Sequence, residues 1–502
     1  MKVIVNNIFC QVEYEDCDYA LSFNLDKRLR NKLQERIKGY QFTEAHKDYH
    51  WDGYHKFYSK KRQFFTGFLV IVLKYCEDWD VSVTISDIRK NKPKFNKVFV
   101  NKFGDIELRE DQTYLLKKII DNTISNSGIK LCWQRGILNA APNAGKTVTT
   151  LGLYYNLKDT KVLFLTREFV LFVQTVEFFE KYISDVGVIY GSAKHTNKRW
   201  RKANYSIGSI TVAMTTTLTR KLEDKNVQKD LLMFNTLVVD ECHYATANTD
   251  ARIILKTDAA LRLFLSGTPF SRTGDKVKKL KLIGMSGMVI GKIGTEELVN
   301  KGISRATDVH IYLNQIIESG LPAISYREQR ESYIHFSKDR CEVIYNEIMQ
   351  NPTKTYLIVY YEIKHGLFMY DYLMEQQNYN VPTILTNGAD KDRFTKIEMF
   401  LNKQVNVLFV NKIIRQGVNM PLVDVLIYTT GGLSDVDIEQ WLGRPARTGS
   451  INDRFKVIDF YDIGSKIRSH SLARLRIYKE SGHTVTEHYD KMGVKKLNNR
   501  KK

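Results

Sequence analysis

The segment Ala140–Thr150, AAPNAGKTVTT, carries the residue types that bind nucleotide phosphates. Glycine lets successive backbone N–H groups turn towards a phosphate, a lysine reaches the β and γ oxygens, and a Ser or Thr hydroxyl binds Mg²⁺. Gly145, Lys146 and Thr147 supply these groups, but the first position, where the pattern asks for glycine, holds Ala140. Because that position needs only a small residue, we expect a phosphate loop for ATP and Mg²⁺ that opens a helix.

A pair of acidic residues follows a strand-like run further along the chain, in TLVVDECHYA. A carboxylate at the carboxyl end of a strand can hold Mg²⁺ through water, and a second one can orient and deprotonate the attacking water. We therefore assign Asp240 to the metal together with Thr147, and Glu241 to general-base catalysis. Lys146 completes the predicted catalytic residues of this lobe.

An arginine pair lies in the segment Gln440–Gly449, QWLGRPARTG. Arg444 and Arg447 are three residues apart, so on a helix they share one face. Two guanidinium groups on such a face suit a γ-phosphate, where they stabilise the charge that develops on the transferred phosphoryl group. The simpler alternative, a phosphate-loop kinase with an unrelated second domain, leaves this arginine pair unexplained.

Strand-like apolar runs alternate with helices in two stretches of the chain. The first stretch, from Leu108 to Gly302, contains KVLFLT, ITVAM, TLVVDE and LRLFLSGT. The second, from Arg305 to Tyr478, contains TYLIVYY, VPTILT, VNVLFV and DVLIYTT. Such alternation is typical of parallel sheets covered by helices on both faces. The sequence therefore predicts an α/β fold of two tandem lobes.

The residues before the first lobe form a small α+β module by the same criteria. Strand-like runs lie at Val3–Val5, Phe68–Leu73 and Val81–Ile85, and a helix is predicted in DKRLRNKLQERIKGY. The basic segment Arg89–Lys102 then predicts an exposed linker, so that the module should be removable without unfolding the lobes. The predicted division is a module at 1–95, lobes at 96–303 and 304–480, and a basic tail at 481–502.

Charge and cysteine usage limit the class of protein. The 502 residues include 76 Lys and Arg against 56 Asp and Glu, a net charge of +20. Such an excess attracts polyanions over long range, above all nucleic acid. A basic enzyme that does not bind nucleic acid remains an alternative interpretation. The six cysteines form no CxxC pair and no zinc spacing, and no apolar run is long enough for a membrane helix. We expect a cytoplasmic monomer without structural metal or membrane contact.

These motifs resemble those of the superfamily 2 helicases. Asp240-Glu241-Cys242-His243 is similar to their DExH box, and Ala is common at the first position of their phosphate loop. The resemblance implies two RecA-like lobes, adenine recognition by LREDQ (108–112), and coupling of the nucleotide site to the nucleic acid by SGTP (266–269). The residues that it implies for ATP binding are Arg109, Gln112, Ala140, Asn143, Ala144, Gly145, Lys146 and Thr147, and those for coupling are His243, Ser266 and Thr268.

The second lobe is similar to the same family. The segment QWLGRPARTG matches its pattern Q-x-x-G-R-x-x-R, which adds Gln440 to the catalytic arginines. NKIIRQGVNMP (411–421) resembles motif five, with Gly417 and Asn419 as nucleotide contacts, and has Asn411 and Asn419 where Thr and Asp are frequent. The nucleic-acid contacts that the resemblance implies are Thr166, Arg167, Gln174, Thr217, Lys364, His365, Arg393 and Asn411.

Cations and aromatic residues alternate in the module's segment YHWDGYHKFYSKKRQFFTGFL, Tyr49–Leu69. Lys56, Lys60, Lys61 and Arg62 can neutralise nucleic-acid phosphates, whereas most of the aromatics are expected to pack the module's core rather than stack on bases.

WDG (51–53) and GFLVIVLKYCEDW make the module similar to that of the phage UvsW-type helicases. The resemblance implies an ATP- and Mg²⁺-dependent DNA helicase in the cytoplasm of a phage-infected bacterium. It would remodel forks and Holliday junctions by 3′-to-5′ movement, branch migration and annealing, in DNA replication, recombination and repair. Three alternatives stay open: an RNA helicase of the same superfamily, a restriction-system translocase, and a nucleotide-gated clamp that never unwinds.

Overall fold

The computed structural model divides the chain into two compact units, residues 1–293 and 294–502. It describes residues 1–14, 19–47, 50–126, 129–192, 198–270, 275–314, 325–387, 390, 392–411, 423–432, 441–442, 454–463 and 467–489. Within these ranges, no helix has the length and apolar character needed to cross a membrane.

The first unit holds the larger sheet. Its strands are β1 (Lys2–Val5), β2 (Phe9–Glu13), β3 (Gln34–Arg36), β4 (Tyr54–Lys56), β5 (Gln63–Phe65), β6 (Thr84–Asp87), β7 (Lys94–Phe95), β8 (Lys102–Phe103), β9 (Ile106–Glu107), β10 (Thr123–Asn126), β11 (Ile129–Cys132), β12 (Arg135–Ala140), β13 (Leu157–Lys158), β14 (Val162–Thr166), β15 (Val186–Tyr190), β16 (Asn204–Tyr205), β17 (Ile210–Met214), β18 (Thr236–Val239), β19 (Leu261–Ser266) and β20 (Val289–Ile293). Eight of them form one sheet in the order β16-β15-β17-β14-β18-β19-β12-β20. Every pairing in it is parallel except that of β16, which is antiparallel to β15.

Helices separate the strands of the first unit. They are α1 (Tyr19–Lys32), α2 (Glu44–Lys47), α3 (Leu69–Asp78), α4 (Glu110–Ile120), α5 (Lys146–Asn156), α6 (Phe169–Glu180), α7 (Thr215–Lys221), α8 (Lys225–Leu231), α9 (Asn248–Lys256) and α10 (Lys276–Ser286). Every residue of β14, β17, β18 and β19 is buried. This confirms the predicted α/β lobe, because strands buried throughout need cover on both faces.

The second unit repeats this design with a seven-stranded, all-parallel sheet in the order β23-β24-β22-β25-β26-β21-β27. Its strands are β21 (Ala306–Asn314), β22 (Tyr356–Tyr360), β23 (Thr383–Thr386), β24 (Val407–Asn411), β25 (Val425–Tyr428), β26 (Arg454–Asp462) and β27 (Thr484–His488). Its described helices are α11 (Thr295–Asn300), α12 (Tyr326–Arg330), α13 (Lys338–Gln350), α14 (Ile363–Met374), α15 (Arg393–Leu401) and α16 (Arg468–Glu480).

Alternate residues of β22 belong to two different cores. Leu357 and Val359 pack in one hydrophobic cluster, and Tyr356, Ile358 and Tyr360 pack in another. Since successive side chains of a strand point to opposite faces, the sheet has a separate core on each face. Two RecA-like lobes are therefore present, as predicted.

Strand β27 corrects the predicted start of the C-terminal tail. The sequence ended the second lobe at residue 480, but Thr484–His488 pairs in parallel with β21 at the edge of the sheet. Its side chains alternate between half-buried and exposed. Such a half-exposed edge strand lacks the continuous apolar run by which the other strands were recognised.

The N-terminal module contains a four-stranded sheet in the order β5-β2-β1-β6. The predicted strand at Phe68–Leu73 is wrong, because Leu69–Asp78 is the helix α3. Its buried residues, Leu69, Val72, Leu73 and Cys76, follow helical spacing, which a continuous apolar run conceals. The helix expected as far as Tyr40 ends at Lys32, since Gln34–Arg36 pairs with β4.

The module and the first lobe share one hydrophobic core, which contradicts the expected separable module. Phe68 and Leu73 of the module cluster with Trp133 and Ile283 of the lobe. A Cβ added at Gly67 would lie 2.0 Å from the carbonyl oxygen of Ile283, so the two backbones touch.

Polar contacts strengthen the same junction. Asn7 Nδ2 donates to the backbone oxygen and to Oδ1 of Asp258, at 3.0 and 2.9 Å. Arg89 opens the predicted exposed linker, but it is buried and donates to the carbonyls of Cys132 and Trp133. Charge alone misled the prediction, because a guanidinium can be buried where carbonyl oxygens accept its hydrogen bonds.

Candidate ATP site and nucleic-acid interface

Three neighbouring strands of the first sheet bring the predicted ATP-site residues together. β18, β19 and β12 are adjacent, and they end at Val239, Ser266 and Ala140. Because the carboxyl ends of parallel strands meet at one edge, the phosphate loop, the acidic pair and the SGTP segment converge there. Gly267 marks the contact, since a Cβ added to it would lie 3.4 Å from the carbonyl oxygen of Ala140.

The phosphate loop needs glycine at its last position. Gly145 has φ 79° and ψ 42°, in the left-handed region, and directly precedes α5. A Cβ there would lie 2.1 Å from Nε2 of Gln112. Asn143 also has positive φ, 71°, which asparagine tolerates better than most residues. Ala140 is fully buried, as expected of a position that needs a small residue.

The predicted adenine-recognition segment lies against this loop. Arg109 Nη2 donates to the carbonyls of Ala144, at 3.1 Å, and of Asn143, at 3.3 Å. Asp111 holds the same guanidinium through Nε, at 3.0 Å, and Nη2, at 2.9 Å. Gln112 Oε1 accepts from the backbone N–H of Arg109 at 3.2 Å, which caps α4. Asp111 was not predicted as a site residue. Its position two residues after Arg109 is the sequence feature that could have indicated an ion pair between them.

Lys146 and Glu241 form an ion pair at the centre of the site. Lys146 Nζ lies 3.1 Å from Glu241 Oε1, and their side chains are 17% and 21% exposed. Burial lowers the pKa of Lys146, but Glu241 and Asp240 outweigh it and leave that pKa raised. Burial raises the pKa of Glu241, but Lys146 and His243 overcome it and leave the pKa lowered. Both groups therefore stay charged at neutral pH.

Hydrogen bonds link Glu241 to the predicted coupling residues. Ser266 Oγ donates to Glu241 Oε2 at 3.3 Å, and His243 Nδ1 lies 3.2 Å from Ser266 Oγ and 3.3 Å from Glu241 Oε2. The backbone N–H of Thr268 donates to Ser266 Oγ at 3.1 Å. The segment that follows β18 and the segment at the end of β19 are thus joined through the carboxylate of Glu241.

Asp240 has the chemistry of a Mg²⁺ site. Its Oδ1 is buried and has no hydrogen-bond partner among the described residues. Burial and the neighbouring Glu241 carboxylate raise the pKa of Asp240 to about 6. A cation beside this oxygen would give it the partner that it lacks and would offset the repulsion from Glu241. The half-buried Thr147, in the first turn of α5, supplies a hydroxyl that can also bind Mg²⁺. No cluster of three His, Cys, Asp or Glu side chains that could hold a metal ion occurs in the described part of the chain.

Three of the four nucleic-acid contacts predicted in the first lobe, Thr166, Arg167 and Thr217, lie at the same edge of the sheet. Thr166 ends β14 and is buried, and Thr217 lies in the first turn of α7, directly after β17. Arg167 lies 3.7 Å from Asp250 and stacks over Tyr244 at 4.8 Å, so the buried Asp250, which was not predicted, orients it. Gln174 is half-buried in the middle of α6.

One contact predicted in the second unit is wrong. His365 is fully buried, because it lies on the inner face of α14 with Met369 and Leu373. It stacks on His335 with 5.0 Å between ring centroids, so it cannot touch an external strand. The adjacent Lys364 faces outwards and pairs with Glu331.

The remaining second-lobe predictions are only partly described. Arg393 begins α15, and Asn411 ends β24, buried, with an Oδ1 that has no partner among the described residues. Five predicted site residues lie outside the described residues, namely Gly417, Asn419, Gln440, Arg444 and Arg447.

The module's cations differ in their surroundings. Lys60 and Lys61 are exposed at the turn between Tyr58 and Gln63, and Lys56 is exposed and pairs with Asp52 at 2.6 Å. Arg62 instead pairs with the buried Asp26 at 3.0 Å. Phe57, Tyr58 and Phe64 are buried in the core, as predicted for most of the aromatic residues.

Two family models match the chain. The model of the type III restriction enzyme res subunit covers residues 105–271, and the helicase conserved C-terminal domain covers residues 339–449. Together they span more than half of the chain and identify it as a member of helicase superfamily 2. Its domains are therefore those of an ATP-binding, nucleic-acid-dependent enzyme of the helicase class.

Individual proteins are similar at low identity. The chain is 20% identical to Putative helicase 22 of Sulfolobus islandicus filamentous virus, over 80% of this chain and 74% of that protein. The structure of the ATP-dependent Type ISP restriction-modification enzyme LlaBIII bound to DNA has a TM-score of 0.54 at 15% identity, covering 80% of this chain and 33% of that one. The crystal structure of UvsW of bacteriophage T4 matches at 16% identity with a TM-score of 0.40, and the match covers 97% of this chain and 98% of that one.

Proposed function

We propose that the chain is an ATP- and Mg²⁺-dependent DNA translocase that remodels branched DNA. The observation that carries the ATPase part is the half-buried Lys146–Glu241 ion pair beside Asp240, whose Oδ1 has no hydrogen-bond partner among the described residues. Lys146 would bind the β and γ phosphates, and Asp240 with Thr147 would hold Mg²⁺ when it is bound. Glu241, which stays ionised, would take the proton of the attacking water.

The second lobe would complete the hydrolytic site. Arg444 and Arg447, with Gln440 beside them, would stabilise the charge on the γ-phosphate, and Gly417 and Asn419 would contact the nucleotide. His243, Ser266 and Thr268 would pass the state of Glu241 to the nucleic-acid edge, because His243 and Ser266 contact its carboxylate and the backbone N–H of Thr268 donates to Ser266.

DNA is proposed as the polymer because of the N-terminal module. Its exposed Lys56, Lys60 and Lys61 belong to a module that shares a core with the first lobe, so they are held at a fixed distance from that lobe. Such cations would meet duplex phosphates at a fork or Holliday junction. Movement from 3′ to 5′, a monomeric motor and a role in branch migration, recombination and repair belong to the same proposal.

The test measures ATP hydrolysis against single-stranded DNA, duplex, fork, four-way junction and RNA of matched length. We expect forks and junctions to give the largest stimulation, and Lys146→Ala to abolish hydrolysis while DNA binding survives. Stimulation by RNA alone would identify an RNA helicase. Nucleotide-dependent DNA binding without strand displacement would identify a clamp, and either result would overturn the proposal.

A further inference from the structure

A basic turn follows β15 at the carboxyl edge of the first sheet. Between Asp185 and Glu223 the chain carries seven lysines and arginines and no acidic residue. The segment leaves the sheet beside a predicted nucleic-acid contact, since a Cβ added at Gly191 would lie 3.5 Å from Thr217 Oγ1. Its described part includes the single helical turn Lys198–Arg201, before the edge strand β16.

A buried tryptophan anchors this turn. Trp200 is fully buried, and its ring centroid lies 5.3 Å from that of Tyr190 and 5.8 Å from that of Phe172. Tyr190 Oη donates to the carbonyl of Arg199 at 3.0 Å. Arg199 in turn pairs with Glu180 and stacks on Trp200 at 4.5 Å. The turn is therefore fixed to β15 and α6 from beneath.

The anchoring leaves two lysines facing solvent. Lys198 and Lys202 are exposed, and the described residues offer neither an ion-pair partner. Fixing cations close together without a counter-charge raises their mutual repulsion, which an anion would offset. Because Trp200 and Tyr190 hold the backbone of the turn, only the lysine side chains lose conformational entropy when they bind a phosphate. The turn adds nothing to the core beyond Trp200, so packing does not explain its charge.

We infer that the Lys198–Lys202 turn is a phosphate-contact site for single-stranded DNA at the outer rim of the first lobe. It extends the nucleic-acid path beyond Thr217, from β17 to β15 and β16. The contact carries no base specificity, because backbone phosphates are alike in every sequence. The inference rests on the proposed function, in that DNA is the bound polymer.

The test compares salt dependence of binding to single-stranded DNA. In the double variant Lys198→Ala/Lys202→Ala, the slope of log affinity against log salt should become shallower by about 1.4, since each phosphate contact on a single strand contributes about 0.7. The matched control is Lys225→Ala/Lys229→Ala on α8, which removes the same charge from exposed positions near the amino end of β18. We expect the control to keep nearly the wild-type slope.

A second variant examines the anchor. Tyr190→Phe removes the hydrogen bond to Arg199 but keeps both lysines, so it should weaken binding about 2- to 5-fold with an unchanged slope. An unaltered slope in the lysine variant, or an equal loss in the control, would overturn the inference while leaving wild-type DNA binding intact. Absence of salt-dependent DNA binding by the wild type would instead overturn the proposed function itself.

Discussion

Glu241 occupies a backbone conformation that few glutamates adopt. Its φ of 46° and ψ of 53° place it in the left-handed region, directly after β18. Such a conformation costs free energy, and it persists where surrounding contacts hold it. Here Lys146 Nζ and Ser266 Oγ both hold the carboxylate. The strain therefore serves to aim one carboxylate between the phosphate-binding lysine and the SGTP segment.

Removing the charge of Glu241 should separate ATP binding from hydrolysis. Glu241→Gln keeps the shape of the side chain but cannot accept a proton, so hydrolysis should slow by at least about 10²-fold. ATP affinity should stay within a few-fold of wild type, measured by equilibrium binding, while steady-state turnover gives the rate. Glu223→Gln, an exposed acid of the same unit, is the control. A collapse of ATP affinity would mean that Glu241 is a metal ligand instead of the base.

Glycine at position 145 should be essential to the loop. In Gly145→Ala the new Cβ would meet Gln112 Nε2 at 2.1 Å, on a backbone with φ 79°. Both effects distort the phosphate loop, so KM for ATP should rise at least about tenfold. Gly294→Ala is the matched control, because its Cβ would meet nothing within 4 Å. Equal KM values for the two variants would remove Gly145 from the phosphate site.

At the scale of elements, the parallel strands were predictable and the connections were not. TLVV and LRLFLS are apolar enough to be recognised wherever a parallel sheet is buried on both faces. Phe68–Leu73 has no period, so its helix could not be distinguished from a strand. The buried Asp111 and Asp250 hold the predicted Arg109 and Arg167. Asp111 is close to Arg109 in the sequence, whereas Asp250 is far from Arg167, so nothing in the sequence indicates that this second pair meets in space.

Helix α14 and the turn before α13 bury a histidine pair that should make stability depend on pH. Burial lowers the pKa of His335 to about 4, and burial lowers the pKa of His365 as well. No ring nitrogen of either has a hydrogen-bond partner among the described residues. Charged groups face His335 from several elements: Glu362 and Lys364 at the start of α14, Arg330 at the end of α12, and Glu331 in the turn itself.

The sign of the effect follows from the lowered pKa. The unfolded chain binds protons at these sites near pH 6.5 and the folded chain does not, so unfolding is favoured as pH falls from 6.5 towards 4. For His335 the loss amounts to about 3 kcal/mol at pH 4. Urea unfolding of wild type and His335→Phe across this range is the measurement, since phenylalanine keeps the stacking and cannot titrate. Parallel pH profiles for the two proteins would contradict the prediction.

At the scale of the whole molecule, the N-terminal module belongs physically to the first lobe. The junction between them is apolar on one side, through Phe68 and Ile283, and polar on the other, through Asn7 and Asp258. Composition suggested a linker because Arg89–Lys102 is basic. Two short strands, Lys94–Phe95 and Leu157–Lys158, instead pair this segment with the lobe. DNA-contact tests on the module should therefore change surface charges and not remove the module.

Deleting residues 1–95 should unfold the first lobe and abolish ATP binding. The deletion would expose Trp133 and Ile283, which are 2% and 4% exposed in the intact chain, and would remove Asn7, which donates two hydrogen bonds to Asp258. In the intact protein, Gly67→Ala should destabilise module and lobe together by about 1–3 kcal/mol, because its Cβ would lie 2.0 Å from a backbone oxygen of Ile283. Hydrogen exchange gives the decisive measurement. The amides of β1 and β14 should exchange with the same opening free energy in the wild type, and Gly67→Ala should lower both free energies by equal amounts. Exchange of β1 at much lower free energy than β14, or a soluble 96–502 fragment that binds ATP as tightly as the full chain, would show that the module is a separate domain after all.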